Sequence, residues 1–316
     1  MAEFYFRLLI INMKKMRKIF LYYIIIIFVI SCGEPSPTEL IFNDKSENNI
    51  QIEPALNDND ANLNSSGYDT TGVFNPFLSK STIINITGVR NTNYGIVQNE
   101  GYYYAIFNDK SKPIKVKNGK LIGYKSKNIS SVKFNNYEAV QIPNVIRFVD
   151  RMMVKDTILG IKYFIKQRMM QNGQMHGFPF YSKVNVKVVV DKNSFTQIDV
   201  LTPPEIIGKV SLEGNRLRKN LSILLEWNNK SEDNVEIIIA RFRPNSNDAE
   251  PLLKLKGNEI GKIKLPFNIL ENIITTQNRF LIISFVRKYE KQINNNILDD
   301  TYIVAQSIHN IKIEIP

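Results

Sequence analysis

The sequence predicts an all-β protein, with two β-sandwiches in tandem behind a leader and a polar tether. Three observations predict it. From about Leu78 onward, apolar and polar residues alternate at period two, the mark of half-buried strands. Turn sequences such as Asn118-Gly119 and Asp191-Lys192-Asn193-Ser194 separate these runs. Before Leu78 the pattern is absent. The chain is 43% hydrophobic, which supplies ordinary apolar cores, and its single cysteine leaves no intramolecular disulfide to staple them.

Residues 1–31 read as a signal peptide. Lys14, Lys15, Arg17 and Lys18 form a basic flank, and Ile19 to Ile30 form an unbroken apolar run. That run falls short of the roughly 20 residues a membrane-spanning helix needs. A second apolar run, Phe4 to Ile11, precedes the basic cluster and points to a translation start at Met13 or Met16. Val29-Ile30-Ser31-Cys32 resembles the lipobox of bacterial lipoproteins, with Ile30 bulkier than that pattern usually holds. The resemblance implies cleavage before Cys32, lipidation of its sulfur, and the membrane as a partner through that lipid. It also implies outer rather than inner membrane, because Gly33 rather than Asp follows the cysteine. An uncleaved anchor helix is the alternative.

Residues 32–77 are expected to be a disordered acidic tether. Eight acidic residues face Lys45 alone between Cys32 and Pro76, and apolar residues there are few and aperiodic. The whole chain carries +11, of which the leader holds +4 and the tether −7, so the remaining body is strongly basic. Scattered lysines that solvate strands account for this more simply than a specific nucleic-acid site, and none is expected.

The first sandwich is assigned to residues 78–202. Its strands are expected around Ile84–Gly88, Tyr102–Ile106, Ile114–Val116, Leu121–Tyr124, Val132–Phe134, Val184–Val190 and Phe195–Val200. Val145 to Met170 is read as strands, with a helix as the alternative, because Ile161, Tyr163 and Ile165 alternate with Lys162 and Lys166. Pro203-Pro204 marks the boundary. The second sandwich, residues 203–316, is expected to hold seven strands: 206–212, 221–228, 235–243, 260–269, 279–289, 301–308 and 311–315.

Seven strands in that length fit an Ig-like sandwich. The run LSILLEWNN, with Ile223, Leu225 and Trp227 on one face, resembles the second strand of fibronectin type III domains, where an inward tryptophan fills the core. With its leader and acidic tether, the chain resembles uncharacterised Gram-negative surface lipoproteins that carry Ig-like repeats. No functional residue comes with that resemblance.

Chemistry-bearing motifs are sparse. His176 and His309 lie far apart without a second ligand at metal spacing, and both are expected at the surface. Asp299-Asp300 and Glu232-Asp233 fall in predicted loops that face water. No catalytic residue, metal site or cofactor is expected. Tyr102, Tyr103 and Tyr104, with Tyr94 nearby, are the candidate ligand-binding residues: one face of that strand is core, and the other could offer a phenol ring to a sugar or protein. The expected function is that of a lipid-anchored cell-envelope protein, a non-enzymatic binding or spacing module with an envelope protein or polysaccharide as partner. A carbohydrate-binding lipoprotein serving an uptake system is the alternative, and an envelope hydrolase the second alternative.

Overall fold

The computed structural model describes residues 51–54, 63–64, 80–116, 119, 121–150, 153–168, 178–228, 235–242, 249–256, 261–271, 273–274, 280–294 and 297–316. The leader, Cys32, most of the expected tether, His176, Glu232 and Asp233 lie outside the described residues. Everything described belongs to one compact unit, Asn48–Pro316.

The protein is all-β. The described strands are β1 (Gln51–Pro54), β2 (Leu63–Asn64), β3 (Thr82–Asn93), β4 (Ile96–Lys115), β5 (Leu121–Ser126), β6 (Ser131–Phe134), β7 (Tyr137–Glu138), β8 (Val140–Asp150) and β9 (Met153–Arg168). They continue with β10 (Lys183–Asp191), β11 (Ser194–Leu201), β12 (Gly208–Glu213), β13 (Ser222–Trp227), β14 (Glu236–Phe242), β15 (Ala249–Lys256), β16 (Lys262–Leu265), β17 (Phe280–Ile293) and β18 (Thr301–Glu314). A single helical turn, α1 (Phe267–Leu270), follows β16. Val145–Met170 is strand wherever it is described, in β8 and β9.

One large sheet runs β1-β15-β14-β17-β18-β3-β4-β9-β8-β2, with β5 also paired to β4. Two small sheets, β11-β10-β6-β7 and β12-β13-β16, complete the set. The first core lies between the large sheet and the four-stranded one: Ile84, Ile86, Tyr103, Phe107 and Tyr163 meet Val132, Phe134, Val184, Val186 and Val188. The second lies between the large sheet and the three-stranded one: Ile237, Ile239, Leu281, Ile283 and Phe285 meet Ile223, Leu225, Trp227, Ile263 and Leu265. Trp227 is therefore a core residue, as its alternation with Ile223 and Leu225 predicts.

Pro203-Pro204 separates two cores but not two sheets. β18 pairs in parallel with β3 from Thr301↔Thr82 to Lys312↔Asn93, and antiparallel with β17 along its whole length. Its early residues Ile303 and Ala305 serve the first core, while Ile311 and Ile313 pack on the second. A strand of fourteen residues is long enough, at about 3.3 Å per residue, to back both sandwiches.

Three expectations need correction. The segment 32–77, expected to be a disordered acidic tether, holds two short strands: β1 pairs with β15 and β2 with β8. Pairing of β1 satisfies backbone groups along the edge of β15. Residues 301–315 are one strand rather than two, since Asn310 stays in register and donates its side-chain amide to Asn91 Oδ1 at 2.9 Å. Finally, β15 was not expected, because Pro251 argues against a strand. Pro251 is accommodated where the β14–β15 register shifts, beside Ala240.

Candidate functional site

The tyrosine run divides across the large sheet. Tyr103 points into the first core, its ring 5.5 Å from that of Phe134 and 5.8 Å from that of Phe178. Burial raises its phenol well above the ordinary range, with a smaller contribution from Tyr137. Tyr102 and Tyr104 share the opposite face, as period two requires. That face is not open: Tyr102 is 3% exposed and Tyr104 half-buried. The expected free phenol platform is therefore absent at Tyr102 and Tyr103.

Pairing between β4 and β9 builds an array of cations and rings around Tyr102 instead. Tyr102 stands opposite Lys166, and Tyr104 opposite Phe164. The Tyr102 hydroxyl donates to Glu100, whose other carboxylate oxygen lies 3.2 Å from Lys166 Nζ. Lys166 Nζ also sits 5.2 Å from the Tyr102 ring centre. Lys162 Nζ lies 5.7 Å from the Phe164 ring and 6.0 Å from the Tyr104 ring, within reach of a cation–π attraction. Lys162 is only 7% exposed, and burial lowers the affinity of its amine for a proton. Further along the same face, Glu236 bridges Lys254 at 3.1 Å and Lys288 at 3.2 Å. Burial alone would raise the Glu236 carboxyl, but Lys288 and Lys254 hold it below its ordinary value.

A second polar cluster lies on the opposite, core-lined face, where the two cores meet. The Ile206 N–H donates to Ser307 Oγ at 2.8 Å, and the Gly208 N–H to His309 Nδ1 at 2.8 Å. Because Nδ1 accepts, Nε2 carries the ring proton and donates to Thr92 Oγ1 at 2.8 Å. Arg287, fully buried, donates to the carbonyls of Pro204 (3.4 Å) and Asn228 (2.9 Å). Arg90 pairs with Glu205 at 3.2 Å. His309 is thus not a surface histidine: it is 3% exposed, since β12 and the segment before it lie over its ring. Its pKa is pushed down to about 4, first by burial and then by Arg90.

The acidic pair Asp299-Asp300 does not act as a pair. Asp300 clamps Lys80 at 2.8 Å and Lys110 at 2.7 Å, and these hydrogen bonds hold its carboxyl below the ordinary range. Among the described residues, no group of three or more His, Cys, Asp or Glu could hold a metal ion. No described helix is long and apolar enough to cross a membrane.

Sequence reasoning missed Lys162, Phe164, Lys166 and Glu100 as neighbours of the tyrosines, because their approach depends on strand register. It also missed the junction. One signal was available there: the adjacent polar pairs Gln306-Ser307 and His309-Asn310 break the alternation of a strand that is apolar from Tyr302 to Ala305. No protein-family model matches this chain, and no curated protein matches it.

Proposed function

We propose that the protein is a lipid-anchored component of a bacterial cell envelope, held by Cys32, that works without catalysis as a binding or spacing module. One observation carries the spacing role: the two cores share β17 and β18, so the body is a stiff unit rather than two beads on a linker. A stiff body adds a fixed length to whatever reach the polar stretch before it allows. The second sandwich supports an Ig-like reading. Numbered within that half, its strands are ordered 1-2-5 against 4-3-6-7, with an inward tryptophan on the second strand. Burial of Tyr102 and Tyr103 removes the feature that favoured a carbohydrate-binding reading at those residues.

The anchor is tested by Cys32→Ser. The variant should lose its acyl label and leave the detergent-extracted fraction, because attachment of more than one acyl chain supplies the membrane affinity. A variant that stays membrane-bound and uncleaved would show a simple anchor helix instead. The binding role is tested by thermal-shift screening against envelope polysaccharides and proteins, since any ligand of the folded state raises its apparent stability.

A further inference from the structure

We propose that His309 is an acid-sensitive latch: its neutral ring fastens the segment Glu205–Gly208, and with it strand β12, to the shared sheet, and protonation releases them.

The geometry carries this. The Gly208 N–H uses the Nδ1 lone pair of His309, and that bond is 2.8 Å long. A proton from solvent can add only to that lone pair, because Nε2 already bears hydrogen. Once it does, two N–H groups face one another and the bond to Gly208 is lost. Gly208 stands opposite Trp227 in the β12–β13 ladder, so the release is felt at the rim of the second core.

Close packing makes the latch hard to bypass. A Cβ on Gly208 would lie 2.2 Å from Phe285 Cδ2, so the backbone of this segment rests directly on β17. The Phe285 ring lies 6.5 Å from His309 and 6.3 Å from Trp227.

Among the charged groups of the elements packed here, Arg90 opposes a new positive charge on the ring. β3 contributes Arg90, and β17 contributes Arg287. The segment before β12 contributes Glu205, which Arg90 engages. β13 contributes Trp227, which carries no charge.

The sign follows from the lowered pKa. The unfolded or released histidine takes its proton near its ordinary value of 6.5, whereas the latched ring resists until about pH 4. The latch is therefore fully closed above the ordinary value and is lost as pH falls through this window.

The test uses the full chain extracted in detergent. Trp227 is the sole tryptophan, so its emission reports the rim of the second core, and ¹³C-histidine and ¹⁵N-glycine NMR follow His309 and Gly208. His176→Gln separates the two histidine signals. The expected result is one shared acid midpoint for the His309 ring, the Gly208 amide and the red shift of Trp227. His309→Asn keeps an acceptor near the Nδ1 position but cannot be protonated, so its Trp227 midpoint should fall by at least about 1 pH unit. Glu205→Gln removes the counter-charge of Arg90, so its transition should remain, with a midpoint at or below that of the wild type.

Three outcomes overturn the proposal: a Gly208 amide and Trp227 emission that do not move while His309 titrates, an unchanged midpoint in His309→Asn, or a transition abolished by Glu205→Gln. If His309→Asn does not fold, the wild-type NMR titration decides alone.

Discussion

The two cores use the same backing sheet with different side chains. The first is rich in rings: Tyr103, Phe107, Phe134, Tyr163 and Phe178 pack around the valines of β10. The second is mostly isoleucine and leucine, with Trp227 and Phe285 at its rim. The ring-rich core also contains polar atoms, and it satisfies them within: the Tyr163 hydroxyl donates to the Ile129 carbonyl. The aliphatic core keeps its polar groups at its border, in the cluster of Ser307, His309 and Arg287. The comparison teaches that the border between the cores, rather than either interior, is where burial and polarity are in tension.

The sharpest way to break the comparison is Trp227→Ala. Loss of a large buried aromatic should cost about 3–5 kcal/mol. Since β17 and β18 belong to both cores, thermal unfolding followed by tyrosine near-UV circular dichroism, which weights the first core, should shift by the same amount. Two separated transitions would mean that the cores unfold independently despite their common sheet. In the wild type, Trp227 emission should be blue-shifted and resist iodide quenching until that transition.

Next in size is Glu236→Gln, on the sheet face opposite both cores. It leaves Lys254 and Lys288 without their shared carboxylate in a largely buried position, for a loss of about 3 kcal/mol near neutral pH. The carboxyl is held below its ordinary value, so its contribution is present above the unfolded pKa and fades as pH falls through the folded one. Urea titrations of wild type and variant should therefore converge in acid.

The smallest expected effect is that of Asp300→Asn. Asn tolerates the positive φ of 41° found there, so the change isolates the charge. The pairs with Lys80 and Lys110 are partly exposed, and their loss should cost no more than about 1 kcal/mol. A much larger shift in urea midpoint would show that this clamp, and not the cores, limits stability.

Legibility followed burial. β10 is buried on one face only, with Val184, Val186 and Val188 inward, and its alternation was plain in the sequence. β13 was equally readable through Ile223, Leu225 and Trp227. β3 and β18 are buried on both faces, with Ile83, Asn85 and Thr87 as inaccessible as Ile84 and Ile86. In β18 this blurs the period-two signal that marks boundaries, which is why it was divided, whereas β3 alternates over Ile84–Thr87 and its length was underestimated because Arg90 to Asn93 are polar. The β3–β4 hairpin escaped for a different reason: it turns at Tyr94-Gly95, with φ of 48° and 82°, where an asparagine would have announced the turn. The partners of Tyr102 and of His309 were illegible because each comes from a distant strand, and register is a property of the assembled sheet.

The parallel seam between β3 and β18 also sets an order of assembly. Its partners are separated by about two hundred residues, and each core takes residues from β18. Neither sandwich can be closed until residues 301–314 have been synthesised, however early the strands before them emerge. Contacts of such long sequence separation slow folding, because loop closure must precede the pairing that rewards it. The same delay leaves the free edge of β3 without its neighbour throughout synthesis, so this seam is where a holding chaperone would have most to protect.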